Sequence, residues 1–156
     1  MGQRRWSAVP AVARPIADAA DDAVVAAGAR DAAGLDAAVA RLAAYDPAQV
    51  GLLLGTVVRH ALEEGHPDGL GSDDVRETLK AAVTGAREWQ SGVDPQVVLL
   101  LLAGALGVHE PDPDEPPLRA DVAARHGVLL VAHLVDPATF AARLERAATE
   151  LAQHAE

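Results

Sequence analysis

The sequence lacks cysteine altogether, which excludes disulfides, thiolate nucleophiles, Cys-ligated zinc sites and iron–sulfur clusters. It also lacks asparagine, has Lys80 as its only lysine, and draws its hydrophobic residues mainly from Ala, Leu and Val. Such a bias is typical of proteins encoded by GC-rich bacterial genomes, so we expect a bacterial source. Aromatic residues are equally scarce, with two Trp, one Tyr and one Phe in 156 residues.

Positive charge is in short supply. The chain has 13 Lys and Arg against 23 Asp and Glu, which gives a formal net charge of −10. This acidity argues against a nucleic-acid binder and against a protein that docks on anionic membranes, because both need a basic face. Half of the residues are hydrophobic, which excludes a wholly disordered chain, and the length suits one domain.

Long apolar runs are missing as well. Arg4 and Arg5 would suit the start of a signal peptide, but Pro10, Arg14 and Pro15 interrupt the apolar stretch that should follow. The longest uncharged run, 95–108, would reach roughly 21 Å as a helix, short of the roughly 30 Å hydrocarbon layer. We therefore expect a cytoplasmic protein that does not enter a membrane.

The sequence does contain clear signals for the starts of helices. Asp46-Pro47, Asp94-Pro95 and Asp136-Pro137 each precede an apolar pattern of helical period, as expected of an Asp N-cap followed by proline in the first turn. No segment shows the alternation of a strand, so the predicted fold class is all-α. The predicted helices cover 15–28, 35–44, 47–64, 72–90, 95–107, 118–135 and 137 to the end.

These helices predict a compact bundle of six or seven members within a single domain over 15–156, preceded by a flexible segment over 1–14. The helices over 47–64 and 95–107 are apolar nearly all round and are expected at the centre. Small residues four apart, Gly51 and Gly55 in one and Ala103 and Gly107 in the other, would allow close helix contact.

The best candidates for metal ligands lie at the end of the third predicted helix. His60 and Glu63 are three residues apart and share a helix face, with Glu64 and His66 close by. Di-iron bundles use Glu-x-x-His pairs on two helices, whereas this chain has the reverse order and a single copy. The alternative is a polar helix end, in which His60 suits the negative end of the helix dipole.

Two further histidines, His126 and His133, are seven residues apart on one face of the sixth predicted helix. They are candidates for metal ligation or proton transfer. The alternative is that they are structural, either buried against a backbone carbonyl or placed at the edge of the helix.

Recognisable catalytic motifs are missing: no nucleophile elbow, phosphate-binding loop or HExxH motif occurs, and no cofactor is predicted. We therefore expect a non-catalytic interaction or regulatory module. Its apolar helices and few aromatics favour a homodimer through a flat helical face, with a possible further protein partner. The alternatives are a domain that binds a small apolar ligand in an enclosed cavity between helices three, five and six, and a His/Glu metal-dependent enzyme.

Overall fold

The computed structural model describes residues 6, 8–108 and 114–154, and within them the secondary structure is helical with no strand. Seven α-helices follow a short 3-10 helix over Ala11–Ala13. They are α1 (Arg14–Gly28), α2 (Ala32–Ala43), α3 (Pro47–Gly65), α4 (Ser72–Arg87), α5 (Pro95–Ala105), α6 (Ala120–Leu134) and α7 (Pro137–His154). The seven helices pack together, which confirms the predicted all-α bundle.

The predicted Asp-Pro starts are confirmed. Asp46 caps α3 by accepting a hydrogen bond from the backbone N–H of Ala48, at 3.0 Å. Asp94 does the same for the N–H of Gln96 at the start of α5, at 2.9 Å. Each carboxylate satisfies one first-turn amide, and the proline that follows has no N–H to leave unpaired.

The centre of the bundle is α6, which packs against α1, α2, α3, α4 and α5. The sequence pattern places 95–107 there instead, yet α5 buries only Val97, Val98 and Leu102, and Leu99 is 37% exposed. A helix that is apolar on every side carries no periodicity to show which face is covered, so its position could not be read from the pattern. The helix over 47–64 does contribute heavily to the core, through eight buried residues of α3.

The core reaches into the segment that we expected to be flexible. Trp6 is fully buried, and its indole Nε1 donates a hydrogen bond to Asp18 of α1 at 2.5 Å. Val9 is also buried, and its carbonyl accepts a hydrogen bond from Arg14 at 3.1 Å. Residues 1–5 and 7 of that segment lie outside the described part of the chain.

Within the described ranges, no single helix combines the length and the apolar character needed to cross a bilayer. The α6–α7 pair meets those requirements only jointly, across a bend of 114°.

Candidate functional site

A large apolar concavity lies between α3, α5 and α6, with a volume of about 700 Å³. We call it the groove. Its walls are formed mainly by small and aliphatic side chains of these three helices, among them Leu52, Leu101 and Leu130. Pockets of this volume and character are typical of sites for small molecules.

Small residues make the room for the groove. Gly51 and Gly104 line it from α3 and α5, and a Cβ atom added to either would meet no atom within 4 Å. On α6 the lining includes Ala123 and Gly127. Because none of these residues extends far from its backbone, the space between the helices stays open.

The two walls that the sequence predicts to approach closely do so at one place. A Cβ built on Gly55 of α3 would lie 3.9 Å from the Cα of Ala105 on α5. Gly55 is thus used as expected, whereas a Cβ on Gly51 would meet no atom within 4 Å. On α5 the contact involves Ala105 and not Ala103 or Gly107. Gly107 lies beyond the end of α5, with a φ of +73° that favours glycine.

The groove carries little polarity. Among its described lining residues, Thr56 and Arg59 are the ones with a polar or charged side chain. The Thr56 hydroxyl already donates to the carbonyl of Leu52 at 2.7 Å. Arg59 forms an ion pair with Glu150 of α7 and a longer one with Glu63, at 3.5 Å. Both groups therefore already have partners from the protein.

His60, the first metal candidate, belongs to the interface of α3 and α7. It is 6% exposed, and its Nε2 donates to a carboxylate oxygen of Glu150 at 2.9 Å. Its Nδ1 is buried, with no hydrogen-bond partner in the described part of the chain. The hydrogen bond from His60, assisted by Arg59, lowers the pKa of Glu150 below its ordinary value, although burial opposes the shift.

Glu63 and Glu64 are occupied elsewhere. Glu63 pairs with Arg59 one turn earlier on α3 and does not join His60. Glu64 accepts from Arg143 and Arg146 of α7, at 3.1 and 3.3 Å. The end of α3 is therefore joined to α7 by ion pairs. This agrees with the alternative of a polar helix end.

His126 is a structural histidine. Its Nε2 accepts from the backbone N–H of Asp94 at 3.0 Å, so the ring proton is on Nδ1, which donates to the carbonyl of Val122 at 2.8 Å. The side chain is buried, and both ring nitrogens are engaged. It links α6 to the N-cap of α5 and has no nitrogen left for a metal.

His133 lies apart from the other candidates. It lines a smaller concavity of about 250 Å³ between α1, α4 and α6, together with Arg30 and Trp89. Partial burial lowers the pKa of His133, so the neutral imidazole is favoured there.

The four candidate ligands are thus spread over three separate environments. In residues 6, 8–108 and 114–154 no group of three or more His, Asp or Glu side chains is arranged to hold a metal ion. Sequence reasoning also missed Glu150, the partner of both Arg59 and His60. It lies about ninety positions further along the chain, and no local motif connects it to them.

The chain matches no protein-family model, no curated protein and no solved structure.

Proposed function

We propose that this protein is a non-catalytic binding module that holds a small apolar molecule in the groove between α3, α5 and α6. The observation that carries the proposal is the open apolar volume of about 700 Å³ at this place. A groove lined by glycine, alanine and leucine gains free energy by covering that surface, roughly 25 cal/mol per Å² of apolar area removed from water. Its chemistry therefore suits an apolar ligand.

A catalytic role receives no comparable support. Among the described residues, the groove brings together no histidine with a carboxylate or a hydroxyl nucleophile. Arg59 and Thr56 are already engaged within the protein, so they offer no obvious general acid or base. The residues that line the groove are explained more simply by ligand binding without catalysis.

A homodimer is the second candidate, and the surface of α5 favours it. Leu99 is 37% exposed on this helix, and Val108 just beyond it is 74% exposed. An apolar helix that lies at the surface is commonly covered by a partner. A second copy could cover α5 in a symmetric contact while the groove holds its ligand, and a regulatory role toward a further protein is compatible with both.

The cytoplasmic location expected from the sequence stays a prediction.

The binding proposal is tested by titration with N-phenylnaphthylamine, an uncharged probe whose fluorescence rises in apolar surroundings. We expect saturable binding to the wild-type protein and a loss of at least about tenfold in affinity for Gly104→Leu, which places a side chain in the groove. Gly85→Leu is the matched control, because Gly85 is also helical with open space around it but lies outside the groove. Equal binding by all three proteins would contradict the proposal.

A further inference from the structure

We propose that the groove selects an uncharged, elongated ligand and disfavours an anionic one such as a fatty-acid carboxylate. This inference rests on the proposed function and specifies the chemical class of its ligand. It follows from the pairing of the one charged side chain that the described lining contributes, that of Arg59.

Arg59 stands where a charged head group would be recognised. An arginine at the end of an apolar groove is usually suited to a carboxylate, which it binds through paired hydrogen bonds. Here the guanidinium group already faces two carboxylates: Nη2 contacts Glu150, and Nη1 lies 3.5 Å from Glu63. The positive charge of Arg59 is therefore already neutralised by carboxylates of the protein before any ligand binds.

An anionic ligand would compete unfavourably with Glu150 for the guanidinium group of Arg59. The side chains of Arg59 and Glu150 are 32% and 28% exposed, so their contact is partly shielded from water. The Glu150 carboxylate is further held by the hydrogen bond from His60 at 2.9 Å. A ligand carboxylate would have to displace this anchored group or lie beside it, and like charges at such short range repel. The net charge of −10 adds a weaker long-range repulsion.

The shape of the groove argues for an extended molecule. On α3 the lining runs from Pro47 to Arg59, a distance of roughly 18 Å at 1.5 Å per residue. On α6 it runs from Ala120 to Leu130. An alkyl chain lying along the groove would contact small and aliphatic side chains over most of its length. Its uncharged end could then lie near Arg59 without breaking an ion pair.

The test compares decanol with decanoate, which share a ten-carbon chain and differ in the charge of the head group. Each is titrated against the full chain and followed by displacement of bound N-phenylnaphthylamine. We expect decanol to bind wild type at least about tenfold more tightly than decanoate. In Glu150→Gln we expect decanoate to gain about three- to tenfold while decanol changes little, because one of the two competing negative charges is removed.

Two further variants make the test sharper. Glu63→Gln removes the other competing charge at a more exposed position and leaves the His60 contact in place, so it serves if Glu150→Gln folds poorly. Glu88→Gln is the matched control, because it breaks an Arg–Glu pair of 2.6 Å with Arg30, away from the groove. We expect decanoate to gain affinity with Glu63→Gln and to stay at the wild-type level with Glu88→Gln.

The outcomes separate the two proposals. Decanoate binding as tightly as decanol, or unchanged in both Glu150→Gln and Glu63→Gln, would overturn the selectivity and leave the proposed function standing. Failure of the probe and of both decyl compounds to bind would overturn the proposed function itself. If a second copy of the chain occupied the groove, probe binding would weaken as the protein concentration rises. That result would also overturn the proposed function.

Discussion

Nε2 of His126 accepts a hydrogen bond from the backbone N–H of Asp94, 3.0 Å away, and so ties the central helix α6 to the N-cap of α5. Since α5 forms one wall of the groove, this contact helps to hold that wall in place. A histidine that the sequence offers as a metal ligand thus has a structural role.

Replacing His126 with Leu should lower the free energy of unfolding by about 1–3 kcal/mol. The change leaves the N–H of Asp94, whose hydrogen bond to His126 is partly buried, without its acceptor, and a polar group shielded from water without a partner costs about that much. Urea unfolding followed by circular dichroism measures the effect. His133→Leu is the control and should stay within about 0.5 kcal/mol, since its side chain has no hydrogen bond to lose among those described. Equal losses in both variants would refute the structural role of His126.

The Glu150 carboxylate should make the stability of the protein depend on acid pH. The pKa of Glu150 is lowered in the folded state from its ordinary value of 4.5, first by the hydrogen bond from His60. Its ionised form therefore stabilises the fold above pH 4.5, and this contribution is lost as the pH falls through the lowered pKa. We expect Glu150→Gln to flatten the fall in unfolding free energy that begins as the pH drops below about 4.5.

A double-mutant cycle with His60→Phe checks the cause of that effect. In the His60→Phe background the flattening by Glu150→Gln should be smaller, because the main stabilising partner of the ionised carboxylate is already gone. An identical flattening in both backgrounds would show that the contact with His60 does not lower the pKa of Glu150.

Two glycines should respond to alanine in opposite directions. At Gly85 in α4 an added Cβ meets no atom within 4 Å, so Gly85→Ala should raise the free energy of unfolding by about 0.5–1 kcal/mol through better helix propensity. At Gly28, the last residue of α1, the added Cβ would lie 2.6 Å from Cγ of Pro137. Because a proline ring yields little, Gly28→Ala should destabilise the protein by about 1–3 kcal/mol. Thermal unfolding of both variants measures the difference, and stabilisation by both would contradict the packing of α1 on α7.

The oligomeric state tests the second candidate function. If a second copy covers α5, light scattering should give about twice the chain mass of 16.1 kDa, and Leu99→Glu should return the protein to the monomer. Val12→Glu is a matched control, because Val12 is 74% exposed on a different element and its replacement should leave the dimer intact. A wild-type monomer at high concentration would end the dimer proposal.

The helices could be predicted from the sequence because their signals are local. Asp46 and Asp94 each precede a proline and an apolar run, and a cap acts over only a few residues. The arrangement of the helices is different, since α5 is apolar on all sides and offers no stripe that indicates its neighbours. Trp6 likewise lies in the core although its surroundings in the sequence resemble a tail.

The candidate site was predictable only in outline. The sequence named helices three, five and six as the place for an enclosed apolar cavity, and the structure has an open apolar groove between them. The hydrogen-bond partners of the histidines could not be predicted from the sequence. Glu150 contacts His60, and Asp94 contacts His126, only through tertiary packing of distant segments. A spacing of three residues put Glu63 on the face of His60 but could not show that Arg59 holds it.

A nuclear magnetic resonance titration of the 15N-labelled protein with decanol decides whether the groove binds a ligand. Glycine amides fall in a distinct spectral region, and this chain has them both inside the groove and outside it. We expect saturable shifts at Gly51, Gly55, Gly104 and Gly127, with Gly28 and Gly85 unchanged. Shifts confined to Gly28 and Gly85, or none at any of the six, would contradict a ligand site between α3, α5 and α6.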